Sequence, residues 1–291
     1  MNNFLKGTGV ALVTPFTASG AIDFDGLTNL VNYCIDGKVE YLVVLGTTGE
    51  SVTLSKPEKK QVIDHIVKVN AKRLPLVLGV GGNNTAEIAQ QASEVSTDDF
   101  AAILSVVPMY NKPSQEGVFQ HYTKIADSAS LPILIYNVPG RTGINMTAET
   151  TLRLSTHKNI IGVKEATGDI TQVLRILKDA PEDFLVISGD DMLALPLVTA
   201  GGDGVITVVG QGFPEDFSEM IRLGAAGKNK EAYDIHYKLI PVTEYAFDEG
   251  NPVGIKAILE AQNVCKAHVR LPLVEATKEL KQKIDSFVKV Y

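Results

Sequence analysis

Ile160-Ile161-Gly162-Val163-Lys164-Glu165-Ala166-Thr167-Gly168-Asp169 reads as a strand running into a polar loop, with Lys164 standing where the strand ends. Side chains at i and i+2 share one face of a strand, so Gly162 and Lys164 point one way while Ile161 and Val163 point the other. Two β-branched residues suit packing against outer helices, which leaves the glycine and the lysine facing an interior. An inward lysine is costly unless it is paired or used. The plainer reading is a lysine that ends its strand and reaches solvent.

The same unit recurs on both sides. Strand-like runs occur at Thr8–Val13, Tyr41–Leu45, Leu76–Gly79, Ala101–Val107, Ile133–Tyr136, Ile160–Val163, Leu185–Ser188 and Gly204–Val208. Amphipathic stretches alternate with them near 25–37, 56–71, 85–96, 115–129, 147–157, 170–180, 191–200 and 214–226. Strands alternating with helices imply βαβ units and a parallel sheet. Eight units predict an α/β fold of the closed (β/α)8 TIM-barrel kind rather than an open sheet. Ser55-Lys56-Pro57-Glu58 is a capping box with a proline in the first turn. Thr85 is placed to cap the next helix, and Gly201-Gly202 supplies the left-handed residue that ends the helix before the eighth strand. Beyond residue 226 only helical patterns remain, near 228–247, 252–265 and 273–289, punctuated by Pro252 and Pro272. The expected division is a catalytic barrel over 1–226 and a three-helix C-terminal extension over 227–291.

Composition narrows the function. The chain has 291 residues, 45% hydrophobic and 21% charged, an ordinary globular balance. No apolar run approaches the ~20 residues of a membrane helix, and the first residues lack the pattern of a signal peptide. Cys34 and Cys265 lie in helix-like segments and neither belongs to a CxxC pair, which points to a reducing cytoplasm rather than a disulfide framework. A net charge of −7 with no dense Lys/Arg run disfavours nucleic acid. An anionic substrate would need a local cation to hold it.

Barrel active sites gather at the C-terminal ends of the strands. Those ends are Gly46-Thr47-Thr48-Gly49-Glu50, Pro108-Met109-Tyr110-Asn111, Tyr136-Asn137-Val138-Pro139-Gly140-Arg141-Thr142-Gly143, Lys164 to Asp169, and Ser188-Gly189-Asp190-Asp191. A free lysine titrates near 10.4, so about one in a thousand is neutral at pH 7.4. Burial lowers that value, and a neutral amine attacks a ketone to give an imine. Tyr136 shares an inward face with Leu134 and can move protons, although a core tyrosine bonded to backbone has the same pattern. Thr47 and Thr48 can hold a carboxylate or simply cap a helix. Arg141 offers a planar fork for a carboxylate. Gly79-Val80-Gly81-Gly82 resembles a phosphate loop but lacks its last glycine and its lysine. The histidines at 65, 121, 157, 236 and 268 are scattered over helix patterns, so no metal site is expected. Asp190-Asp191 can bind magnesium or open a helix.

Taken together, GTTGES (46–51), PMYNKPSQEG (108–117), YNVPGRTG (136–143), KEATGD (164–169) and SGDD (188–191) resemble the dihydrodipicolinate synthase family along nearly the whole chain. That family belongs to the pyruvate-dependent class I aldolases, with N-acetylneuraminate lyase among them. The resemblance implies a lyase in which Lys164 forms an imine with pyruvate, with no separate cofactor. It assigns proton transfer to Tyr136, Thr47 and Tyr110, the last reaching in from a neighbouring subunit. Thr48 would hold the pyruvate carboxylate and the backbone at Ile206 would lie against pyruvate. Arg141 would bind the carboxylate of L-aspartate-4-semialdehyde, with Gly189, Asp190 and Asn251 as further candidates for that substrate. The implied product belongs to the diaminopimelate route to lysine, and the implied assembly is a tight homodimer paired into a homotetramer.

Two details refine the resemblance. Sialic acid lyases look like GSTGE after strand two and lack an arginine after strand five, so Arg141 favours the synthase over sugar-acid or other 2-keto acid aldolases on this scaffold. A non-catalytic keto-acid sensor is disfavoured by the joint presence of Lys164, Tyr136 and Thr47. Lysine-sensitive members carry an aromatic before the relay tyrosine and histidines on the second helix. Here Met109, Lys56 and Lys59 stand there, while Asn83 and Glu87 match, so inhibition by L-lysine is expected to be weak or absent.

Overall fold

The computed structural model describes residues 3–291. Eight parallel strands close into a barrel in sequence order: β1 (Gly7–Ala11), β2 (Tyr41–Val44), β3 (Leu76–Gly79), β4 (Ala102–Val106), β5 (Ile133–Asn137), β6 (Ile160–Glu165), β7 (Leu185–Ser188) and β8 (Gly204–Thr207). Strand β8 returns to β1 through the pairings Thr8 with Val205 and Gly9 with Ile206. Two apolar layers result. Ala11, Val43, Val77, Leu104, Leu134, Ile187 and Ile206 fill the barrel interior. Val10, Leu42, Val44, Ile103, Ile135 and Val163 face the surrounding helices. The alternation within each strand is the period-two signal in the sequence.

One part of that alternation departs from expectation. Ile133 pairs with Ile160, but Leu134 pairs with Gly162. The extra residue, Ile161, joins the interior cluster instead of packing outward, because a bulge in β6 resets the register. Beyond the bulge Val163 faces out and Lys164 faces in. The side chain at 164 therefore points as expected, whereas Ile161 does not.

Helix boundaries follow local chemistry. Ser55 and Glu58 form the reciprocal capping box that starts Lys56–Asn70. The cap of Thr85–Ser93 is Asn84, whose side chain accepts from the Glu87 N–H; the Thr85 hydroxyl instead pairs with His121 at 2.8 Å. Gly201 adopts the expected left-handed conformation, φ +107°. An unforeseen short helix, Pro139–Thr142, occupies the loop after β5. Cys265 is buried in a bend after the helix Val253–Ala261 rather than in a helix, and Cys34 is buried in Phe24–Asp36.

The C-terminal segment is helical, with Asn229–Asp248, Val253–Ala261 and Lys278–Val290. The last helix starts later than its pattern suggests. Thr277 caps it, and the preceding stretch is pinned by Arg270, which donates to the carbonyls of Gly20 and Thr53 and to Glu58. Among the described residues no helix is long and apolar enough to cross a membrane.

Candidate active site

A cavity of about 590 Å³ opens at the C-terminal ends of the strands. The barrel supplies its floor through Ala11, Leu104, Tyr136 and Lys164, and the extension supplies a wall through Thr243, Glu244, Phe247 and Asn251. The C-terminal extension thus lines the cavity; of these four wall residues only Asn251 was expected there.

Tyr136 on β5 and Lys164 on β6 are register partners. Both are buried, and Lys164 Nζ lies 4.3 Å from the centroid of the Tyr136 ring. Burial pulls the Lys164 ammonium down to about 8; the Asp191 carboxylate opposes that shift and the Arg141 guanidinium adds to it. At pH 7.4 a group titrating near 8 is neutral in about one molecule in five, so the amine is available as a nucleophile. Burial pushes the Tyr136 phenol up to about 12, with Arg141 pulling it back, Asp191 raising it further and the Thr47 side chain lowering it. The phenol therefore stays protonated at neutral pH and can donate and accept in a relay.

Thr47 and Thr48 lie on the single 3-10 turn Thr47–Gly49 that follows β2. The Thr48 hydroxyl is buried and accepts from Asn251 Nδ2 at 3.0 Å. Arg141, on the short helix after β5, donates through Nη2 to the Asn251 carbonyl at 3.2 Å. Asn251 therefore ties the turn after β2 to the short helix after β5. Its own Oδ1 is buried without a hydrogen-bond partner, a free acceptor at a site expected to receive a polar substrate. Gly189 and Asp190 line the cavity, and Asp190 Oδ1 also accepts from the N–H groups of Met192 and Leu193.

Two expected site residues sit apart. Ile206 is fully buried in the interior cluster and is not in the cavity lining, which the chain reaches just after β8, at Val208. Tyr110 is 91% exposed, with φ +68°, on the loop after β4, and does not touch the cavity of its own chain.

The structure also gives roles to two carboxylates, Asp191 and Glu165, that the strand-end motifs contained without assigning them to this chemistry. Asp191 is 2% exposed, lines the cavity, and accepts from the Thr207 hydroxyl and the N–H groups of Val208 and Val209. Burial raises its carboxyl to about 6 against those hydrogen bonds, and Asp190 raises it further. Its neighbour Asp190 holds the turn before the helix Ala194–Thr199, whose own N-cap, Leu193, has no side-chain cap bond. Behind the lysine, Glu165 is buried and held by Asn137, Gln172 and the Thr167 N–H. That network joins the ends of β5 and β6 and so fixes Tyr136 against Lys164.

Among the described residues, no group of three or more His, Cys, Asp and Glu side chains is placed to hold a metal ion.

The chain is similar to known proteins over nearly its whole length. Residues 4–291 match the profile of the Dihydrodipicolinate synthetase family. A 4-hydroxy-tetrahydrodipicolinate synthase of Flavobacterium psychrophilum is 52% identical over 284 residues, covering 97% of each chain. One from Neisseria meningitidis serogroup B is 44% identical over 287 residues, covering 98% of each. The crystal structure of dihydrodipicolinate synthase from Thermotoga maritima matches with a TM-score of 0.95 at 36% identity, covering 99% of this chain and 98% of that one. The chain belongs to the dihydrodipicolinate synthetase family, whose members are lyases built on this barrel.

Proposed function

We propose that this protein condenses pyruvate with L-aspartate-4-semialdehyde, as a 4-hydroxy-tetrahydrodipicolinate synthase of the diaminopimelate route to lysine. The observation that carries the reading is Lys164: a buried amine titrating near 8, stacked on Tyr136 at the mouth of a barrel. The relatives support the reading by name, and a relative from Acinetobacter baumannii at 36% identity is described as complexed with pyruvate.

Neutral Lys164 attacks the pyruvate ketone, and loss of water from the carbinolamine gives the imine. Tyr136, Thr47 and a neighbouring subunit's Tyr110 carry the protons at hydrogen-bond distance. The protonated imine nitrogen withdraws electrons, so a methyl proton leaves and an enamine forms. Its carbon bonds to the aldehyde carbon, whose oxygen takes a proton. The amine of the second substrate then displaces Lys164 and closes the ring, returning the free lysine. Thr48 holds the pyruvate carboxylate, with the Ile206 backbone beneath the ketone. Arg141 binds the carboxylate of the semialdehyde, with Gly189, Asp190 and Asn251 beside it. The chemistry needs no cofactor beyond the covalent imine.

In this reading residues 1–226 form the catalytic barrel and 227–291 the extension, the working unit is a tight dimer paired into a tetramer, and the enzyme acts in the cytoplasm. Steady-state assays with pyruvate and either the semialdehyde or a set of sugar-derived aldehydes test it. Turnover with the semialdehyde, and its loss in Arg141→Ala, is the expected result. Preference for a sugar aldehyde would replace the reading with a sugar-acid aldolase.

A further inference from the structure

A second buried lysine lies outside the cavity. Lys256 is fully buried, pairs with Glu50 Oε1 at 2.5 Å and donates to the His268 carbonyl at 2.8 Å. Glu50 is 2% exposed at its side chain, and its second oxygen accepts the Arg270 N–H at 3.1 Å. The Phe16 ring packs under both cations, 4.2 Å from Lys256 Nζ and 4.4 Å from the Arg270 guanidinium carbon. Burying two charges is expensive, and replacing such a pair by apolar groups often leaves stability unharmed. A buried pair of this kind is better explained by an arrangement it enforces than by stability it adds.

What it arranges is the loop after β2. Glu50 follows Thr47-Thr48-Gly49 directly and takes a left-handed conformation, φ +51°, that a side chain adopts only when its surroundings hold it there. Its N–H closes onto the Thr47 carbonyl at 3.1 Å, and the Thr14 hydroxyl holds the Gly49 carbonyl at 2.7 Å. The same stretch of the extension grips this loop twice. Asn251 reaches Thr48, and Lys256, on the helix that starts two residues later, reaches Glu50.

We infer that Glu50 and Lys256 are positioning residues for pyruvate: their buried pair lets the C-terminal extension hold Thr48 where it meets the pyruvate carboxylate. The inference rests on the functional reading above, in which Thr48 holds the pyruvate carboxylate.

Glu50→Gln tests it. The amide oxygen can still accept one donor, but its NH2 confronts the other, so the loop shifts while the local volume is kept. Lys256→Met removes the opposite charge. The readout is imine formation on Lys164, measured by borohydride trapping against pyruvate concentration, with circular dichroism as the check on folding. The expected result for the folded variants is a half-saturating pyruvate concentration raised by about tenfold and a maximal trapping rate within about threefold of the parent. A folded variant with the parent's concentration dependence overturns the inference. A proportional loss of both quantities, or failure of both variants to fold, assigns the pair to stability alone and overturns it equally. If the unaltered protein forms no adduct, the functional reading has failed and this inference falls with it. An adduct in the parent, with unshifted variants, sinks the inference alone.

Discussion

A Cβ placed on Gly189 would lie 2.8 Å from Cε of Lys164 and 2.8 Å from the Ala166 Cβ. Gly189, at the end of β7, is therefore the residue that gives the reactive lysine its room. The glycine beneath it in sequence, Gly162, has a different reason: a Cβ there would meet the Leu185 carbonyl oxygen at 2.5 Å, so that glycine serves strand packing. Gly189→Ala must displace the lysine side chain. A displacement of that size at a reacting atom costs on the order of 10²-fold. The expected outcome is a folded protein whose rate of imine formation falls by about that factor, measured by stopped-flow or timed trapping with pyruvate.

The pH dependence follows from the charges around Lys164. Imine formation needs the neutral amine, so its rate should rise with pH and level off above about 8. Asp191 raises the lysine's value and Arg141 lowers it. Asp191→Asn removes the negative charge and should move the limb to lower pH; Arg141→Ala removes the positive charge and should move it to higher pH. The two shifts must have opposite signs in the pH profile of trapping. Shifts of the same sign would contradict the electrostatic account.

The sequence made the barrel legible because its signal is local: each β-branched run and each cap is decided within a few residues. It made Lys164, Tyr136, Thr47, Thr48 and Arg141 stand out as candidates because each lies at or just after a strand end, and the fold brings all five to the lining of one cavity. Asp191 was harder to read. It stands beside Asp190 in a polar run, and only the fold shows that one holds a turn while its neighbour is buried against Thr207. Lys256 left a faint trace, as a charge in the apolar run Val253-Gly254-Ile255-Lys256-Ala257-Ile258-Leu259. Its partner Glu50 is about 200 residues away, a separation that periodicity does not bridge. The bulge at Ile161 was invisible because it depends on the register of β5.

Tyr110 gives a prediction about assembly. Its exposure on its own chain suits a side chain that completes another copy's site. Lys164→Ala and Tyr110→Phe should each be nearly inactive alone. Mixed and allowed to exchange subunits, hybrid dimers regain one complete site, and activity should return to about a quarter of the parent's. No recovery under exchange verified by native mass spectrometry would place Tyr110 outside the relay.

Regulation can be checked in one titration. The Asn83 side chain clamps the Met109 backbone in both directions, at 2.7 and 2.8 Å, and fixes the position at which the family resemblance implies an aromatic ring in lysine-sensitive members. Half-inhibition by L-lysine should need more than about 1 mM. A steep sub-millimolar inhibition curve would refute this.

The central claim is that Lys164 forms the imine. Incubation with pyruvate and borohydride, followed by peptide mass spectrometry, tests it most directly. The account predicts a reduced pyruvate adduct on the peptide containing Lys164 and none in Lys164→Ala. An adduct on another lysine, or no adduct in the unaltered protein, would contradict it.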